Sequence, residues 1–300
     1  MEQNIELAKP RDFGEVLGDT FVFIRQNLKP LLKYFFIFCG FFVVATAATS
    51  IVVELRAVNL ATSFDPNDFA NENVFTRIMP LIGGYILLMV FYILQSVTLN
   101  VMILSYMALY QQKRNVVPTV EEMWGYIKYY YLRVLGSSFL LYLLAFVGLC
   151  FCLAPGIYLG TVFALVPAII VVENASFSYA FSHAFKLISN NWWATFGVLV
   201  VIYIILYVVN LVVGIPASIL GAGNVFLHLT RRSVGAVSVP LVIIMNVIKA
   251  FVFFFQILLV SAVGLIYFNL SETKEGTSLI ARIDEFGTKD QDPGPQPEEY

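Results

Sequence analysis

The chain has 300 residues, of which 59% are hydrophobic, 15% aromatic and only 13% charged, with a formal net charge of −2 and a mean hydropathy of +0.80. Soluble domains carry roughly 25% charged residues, so lipid is the solvent for much of this chain. The small net charge and the lack of a basic cluster that could track phosphates exclude a nucleic-acid partner.

A bilayer crossing needs about 20 apolar residues, at 1.5 Å each across roughly 30 Å of hydrocarbon. In chain order, residues 31–53 and 78–106 meet this requirement, as do 193–214 and 240–268. The first apolar run is too long and too late for a signal peptide, so its start is expected to anchor the chain. Residues 137–172 would make a straight helix of about 54 Å, and "LAPGIY" interrupts it with Pro155 and Gly156. Two readings stand: a hairpin of short spans, 137–154 and 157–172, or one broken span. The hairpin gives six transmembrane helices, an all-α polytopic membrane protein.

Three segments between the spans are amphipathic: 12–28, 119–134 and 175–191. Their apolar rows are Phe13, Leu17, Phe21, Ile24 and Leu28; then Val120, Trp124, Tyr131 and Val134, widened by Met123 and Ile127; then Phe177, Phe181, Phe185, Ile188 and Trp192. The middle copy is weaker, with Lys128 in its row. Such helices are expected to lie in the headgroup plane or to dock on the ends of the bundle. Asp12-x-x-Glu15 and Thr119-x-x-Glu122 have capping-box spacing, and Asn174 is the cap expected for the third. One unit of surface helix, span out and span back thus occurs three times.

Lysine and arginine cluster in segments on one side: Lys9, Arg11, Arg25, Lys29 and Lys33, then Lys113, Arg114, Lys128 and Arg133, then Lys186. The positive-inside rule predicts both termini in the cytoplasm. On the other side, 54–77 reads as a polar loop and 215–239 as a half-apolar one that could dip into the membrane. After the last span, 271–287 reads as a short amphipathic helix on Leu279, Ile280, Ile283 and Phe286. Residues 288–300 read as a disordered acidic tail.

The stretches "DFGEVLGDTFVFIRQNLKPLL", "ALVPAIIVVENASFSYAFSHAFKLISNNWW" and "IYFNLSETKEG" resemble the six-helix membrane domain attached to some bacterial glycerophosphodiester phosphodiesterases and its stand-alone relatives. The resemblance covers roughly residues 10–285. It implies a multi-pass protein of the bacterial inner membrane. It does not carry the phosphodiesterase activity, which those enzymes place in a separate soluble domain.

Lys249 is the sharpest candidate for a functional side chain, because ionisable groups at lipid depth face the bundle or a water-filled cavity. It shares a helix face with Asn246 and Gln256 (steps of three and seven), and snorkelling to the interface is the alternative role. Ser96 and Asn100 share a face of the second span, while Gln95 points elsewhere; Asn210 lies in the fifth. These amides join helices or line a cavity. At the inner rim, Glu173 is expected to receive Lys186 or Arg25, or to sit solvated. His183 and His228 lack the neighbours of a metal site or a nucleophilic pair, and Cys39, Cys150 and Cys152 lie in apolar runs, so no metal, cofactor or catalytic residue is expected. Tyr129, Tyr130, Tyr131, Trp192 and Trp193 read as an interfacial belt. The expected role is a non-enzymatic scaffold or accessory subunit that engages lipid, or a protein partner at the cytoplasmic face. The alternative is a transporter with a polar path near Lys249, Asn246 and Asn100. Polar groups converging on an internal cavity would favour transport, and a dry bundle would favour the scaffold.

Overall fold

A computed structural model describes residues 5–62, 73–151, 153–231 and 239–276. Among these the chain is helical without strands, and six helices are long and apolar enough to cross a membrane. The protein is an all-α, multi-pass membrane protein.

Helix α1 (Phe13–Tyr34) passes through a π-turn at Phe35–Cys39 into α2 (Gly40–Thr62) without interruption. The run Phe13–Leu60 measures about 72 Å, more than twice the hydrocarbon thickness, so its polar first turns extend beyond the apolar layer. Helix α3 spans Asn73–Gln112 and α4 spans Val120–Phe151. The amphipathic segments at 12–28 and 119–134 are therefore the leading turns of long helices that continue as spans. The third is a separate helix, α7 (Phe177–Ile188), followed by α8 (Trp192–Arg231). The polar loop read at 54–77 shrinks, because α2 continues to Thr62 and α3 begins at Asn73. Helix α8 likewise takes up 215–231 of the second outer loop.

Between α4 and α5 (Leu153–Phe163) the chain folds back on itself. Helix α4 ends at Phe151 and α5 begins at Leu153, ahead of Pro155 and Gly156, which sit in the first turn of α5, where a missing N–H costs nothing. Glycine makes the close approach possible: a Cβ on Gly156 would come within 3.0 Å of the Leu149 Cα, and one on Gly148 within 3.5 Å of the Gly156 Cα. Helix α6 (Val166–Val172) completes the return, after a break at Ala164–Leu165 enforced by Pro167, which cannot donate to the preceding turn. A second break, at Phe254–Phe255, separates α9 (Val239–Phe253) from α10 (Gln256–Glu275) in what the sequence presents as one span. Gly276 ends α10 in the left-handed region, φ 57°. Residues 271–275 thus belong to α10, and the rest of the amphipathic tail helix and the acidic tail lie outside the described residues.

The three units share one register. Asp12, Thr119 and Ser176 are the N-caps of α1, α4 and α7, the first two with reciprocal Glu15 and Glu122 contacts. Asn174, expected as the third cap, instead adopts φ 53° in the turn before it. Four residues after each cap come Val16, Met123 and Ala180; eight after, Thr20, Ile127 and Ala184; eleven after, Phe23, Tyr130 and Leu187. All nine are buried, as are Leu31, Ser138 and Thr195 at nineteen and Tyr34, Leu141 and Val198 at twenty-two. At fifteen, Asn27 and Val134 are buried and Asn191 is half-buried. The seam therefore lies beside the first apolar row, where Phe13, Phe21 and Leu28 of α1 face outward, but runs through Met123, Ile127 and Val134 of the second. The reason is the solvent: against lipid the outer face can be as oily as the core, while small and hydrogen-bonded polar residues fit the seam. Thr20 donates to the Val16 carbonyl at 2.7 Å, and Asn27 donates to the Phe23 carbonyl and accepts from the Tyr106 hydroxyl at 2.7 Å.

The return spans form the centre, where α3, α6 and α10 touch one another. Helix α10 is buried nearly all round from Ile257 to Leu270. Gly264 lets Met107 of α3 lie directly on its backbone.

Candidate functional site

Among the cavities of the described residues, two that open on the flank of the bundle, with the exposed Tyr92 in both walls, hold the polar side chains of interest. One, of about 710 Å³, is lined by α2, α3, α8 and α9 and reaches Gln256 at the start of α10. The other, of about 530 Å³, is lined by α3, α4, α5, α8 and α10, with Phe253 of α9. Tyr92, Phe253 and Gln256 belong to both walls, so the cavities adjoin.

The sequence-selected residues distribute between them. Asn246, Lys249, Asn210 and Gln256 line the larger cavity; Ser96, Asn100 and again Gln256 line the smaller. Gln95, one position from Ser96, turns into the larger one. The amides of Asn100 and Asn210 donate to carbonyls four residues back, Ser96 at 2.9 Å and Leu206 at 2.8 Å. In those bonds they satisfy their own helices rather than joining neighbours.

Facing the Asn246–Lys249 stripe is a second one. Thr46, Ser50 and Glu54 repeat every four residues on α2, which puts them on one helix face, and all three line the larger cavity. Lys249 Nζ donates to Glu54 Oε1 at 2.6 Å, and Asn246 Nδ2 donates to Glu54 Oε2 at 2.9 Å. Ser50 Oγ donates to Asn246 Oδ1. An ion pair with both carboxylate oxygens engaged thus ties the first unit to the third. Lys249 is thus paired while its side chain stays 60% exposed.

Glu54 was hidden because the polar residues after it read as loop, although the four-residue spacing from Thr46 was available in the sequence. Two polar atoms in the same wall, Thr46 Oγ1 and Gln95 Oε1, have no hydrogen-bond partner among the described residues; Gln95 is only 3% exposed. Buried amides and hydroxyls ordinarily find partners, so these two atoms are exceptions in that wall. Both helix breaks meet the smaller cavity, through Phe163, Ala164 and Pro167 on one side and Phe253 and Gln256 on the other. Non-helical backbone at membrane depth is tolerated where it lines such a space.

At the inner rim, Glu173 takes partners other than Lys186 or Arg25. Its Oε1 accepts from the Tyr267 hydroxyl at 2.8 Å and lies 3.5 Å from His183 Nε2. His183 is buried under the Tyr179 ring rather than on a solvated helix face, and Glu275 Oε1 is also 3.5 Å away. Lys186 is exposed, and its backbone carbonyl accepts from Lys274 at 2.8 Å. Arg25 is exposed on α1. Of the aromatic belt, Tyr129 and Trp193 are exposed while Tyr130 is buried. Among the described residues no group of three or more His, Cys, Asp or Glu side chains is arranged to hold a metal ion.

Burial raises the Glu173 carboxyl above its ordinary 4.5, with Glu275 adding to the shift and Tyr267 and His183 opposing it. A raised carboxyl favours the folded state while protonated, and this advantage is lost as pH climbs from the unfolded value through the folded one. Glu173→Gln keeps an acceptor for Tyr267 and removes the ionisation. In detergent its melting temperature should match the wild type near pH 4.5 and exceed it by roughly 2–4 °C at pH 8. A gap that shrinks with rising pH would contradict the assignment.

Comparison of the chain with protein-family models, with curated proteins and with solved structures gives no match.

Proposed function

We propose that the protein is a transporter, moving a small molecule through the adjoining cavities past Glu54, Lys249, Asn246 and Asn100. The observation that carries this reading is the pair of facing polar stripes, Thr46–Ser50–Glu54 and Asn246–Lys249, on one cavity wall. The two helix breaks at the neighbouring cavity support it, since interrupted helices within a bundle supply points of bending.

Cysteines placed singly at Ser50, Asn246 and Asn100, with Cys39, Cys150 and Cys152 replaced by serine, test the path. A small hydrophilic thiol reagent should modify all three and leave cysteines at Val44 and Ile244, on the outward faces of α2 and α9, unreacted. Equal protection at both sets would remove the aqueous path. Applied to intact cells, the same reagent should reach a cysteine at Asp65 and not one at Tyr300, in accord with both termini in the cytoplasm of a bacterial inner membrane. The Lys/Arg distribution supports that orientation, and the three stretches quoted above support kinship with the phosphodiesterase-linked membrane domain.

A scaffold or accessory-subunit role is a second reading, favoured by the outward apolar row Phe13, Phe21 and Leu28 on α1. Lipid or a partner helix would cover it. A subunit that co-purifies stoichiometrically from native membrane, and is lost on Phe21→Ser, would establish this role.

A further inference from the structure

Resting on the transport reading, the larger cavity's chemistry narrows the class of molecule it takes. We infer that the cavity binds a zwitterion, whose anion replaces Glu54 at Lys249 and whose ammonium replaces Lys249 at Glu54, with an uncharged hydrogen-bonding body extending toward Thr46 and Gln95.

Charge balance is the first ground. Glu54 and Lys249 neutralise each other at 2.6 Å in a wall whose other lining residues carry no charge. A ligand with a single charge would engage one of them and leave the other unpaired, which is costly away from water. A zwitterion satisfies both and leaves the net charge of the site unchanged.

Unequal restraint of the partners is the second. Asn246 holds the far oxygen of Glu54 and is itself held by Ser50, so the carboxylate is fixed. The Lys249 side chain is 60% exposed, on a stem of four rotatable carbons, and is free to swing onto an incoming anion. Asn246 is thus a positioning residue.

The unpaired atoms are the third. Thr46 lies two helical turns along α2 from Glu54, about 12 Å, toward the bundle's middle. With Gln95 it presents polar atoms that have no partner among the described residues. A purely hydrocarbon tail would leave them so, whereas hydroxyl, ester or amide groups would pair with them.

The test uses the full chain purified in dodecyl maltoside, whose headgroup is neutral, with equilibrium binding read by microscale thermophoresis. The probes are lysophosphatidylethanolamine (zwitterion with a chain), phosphoethanolamine (zwitterion without one), lysophosphatidic acid and dodecylamine. Wild-type protein should bind a zwitterion at least tenfold more tightly than either singly charged amphiphile. A preference for the chain-bearing form identifies a lipid as the source, and equal binding of phosphoethanolamine identifies a free solute. Lys249→Gln and Glu54→Gln should each lose roughly tenfold or more for the zwitterion, the scale of a charged hydrogen bond. Lys249→Gln should gain affinity for dodecylamine, and Glu54→Gln for lysophosphatidic acid. Should either variant fail to fold, Gln95→Leu, which removes the unpartnered Oε1 together with its amide nitrogen and no charge, should weaken lysophosphatidylethanolamine at least threefold and keep the charge preference. Losses under tenfold in both charge variants, no zwitterion preference in the wild type, or an unchanged Gln95→Leu would each overturn the inference. Thiol labelling without zwitterion binding would leave transport standing and reject the ligand class. Zwitterion binding without labelling would leave a binding site and reject the path.

Discussion

Arg11→Met should cost the folded protein about 3–5 kcal/mol, the penalty for breaking a buried, multiply bonded charge. The Arg11 side chain is fully buried. Its Nε donates to Asp19 Oδ2 at 2.8 Å, Nη1 to the carbonyls of Leu7 and Lys9 at 2.6 and 3.1 Å, and Nη2 to that of Glu6. One guanidinium therefore folds residues 6–9 around itself and fastens them to α1. Its own amide donates to Asn269 on the central helix α10, at 2.7 Å. Methionine matches the stem but answers none of these acceptors, and it leaves Asp19 only the partly exposed Lys9 at 3.1 Å. Ile5 and Leu7, buried in the wild type, should become accessible to protease while the spans stay inserted. Thermal unfolding in detergent and limited proteolysis of the amino-terminal segment measure the two effects; a variant that melts within about 1 °C of the wild type would contradict the role.

The second large effect is at the Glu54–Lys249 pair, and its sign depends on how many partners are removed. Glu54→Met alone leaves the Lys249 ammonium without a counter-charge and should destabilise by about 1–2 kcal/mol, a figure discounted for the 60% exposure of the Lys249 side chain. Glu54→Met combined with Lys249→Met should recover most of that loss, because two apolar side chains need no counter-charge. Transport should vanish in both proteins. Recovered stability without recovered transport separates a working pair from a structural one. If the double variant transported normally, the pair would be mere cement.

Legibility differed between fold and site for identifiable reasons. The spans were readable because an apolar run of twenty residues has few soluble uses. The caps Asp12 and Thr119 were readable because their spacing to Glu15 and Glu122 is local. The seam of α1 was not: oiliness picked out Phe13, Phe21 and Leu28, which face outward, while Thr20 and Asn27 face in; in α4 the widened stripe did hold the buried Met123, Ile127 and Val134. Lys249, Asn246 and Gln256 could be grouped because they share one face of a continuous apolar run, although the helix itself breaks between Phe253 and Gln256.

Sequence alone determined what depends on one helix at a time: the lipid-solvated class, the long apolar runs, the caps and the rarity of Lys249. Tertiary structure alone decided what depends on two helices meeting, namely that Glu54 answers Lys249, that His183 is buried against Glu173, and that Gln95 and Ser96 open into different cavities. The physical reason is that hydropathy measures transfer into an apolar medium and is blind to direction in a chain whose outside is as apolar as its inside. Which polar groups face one another is settled by packing, and packing is a property of pairs.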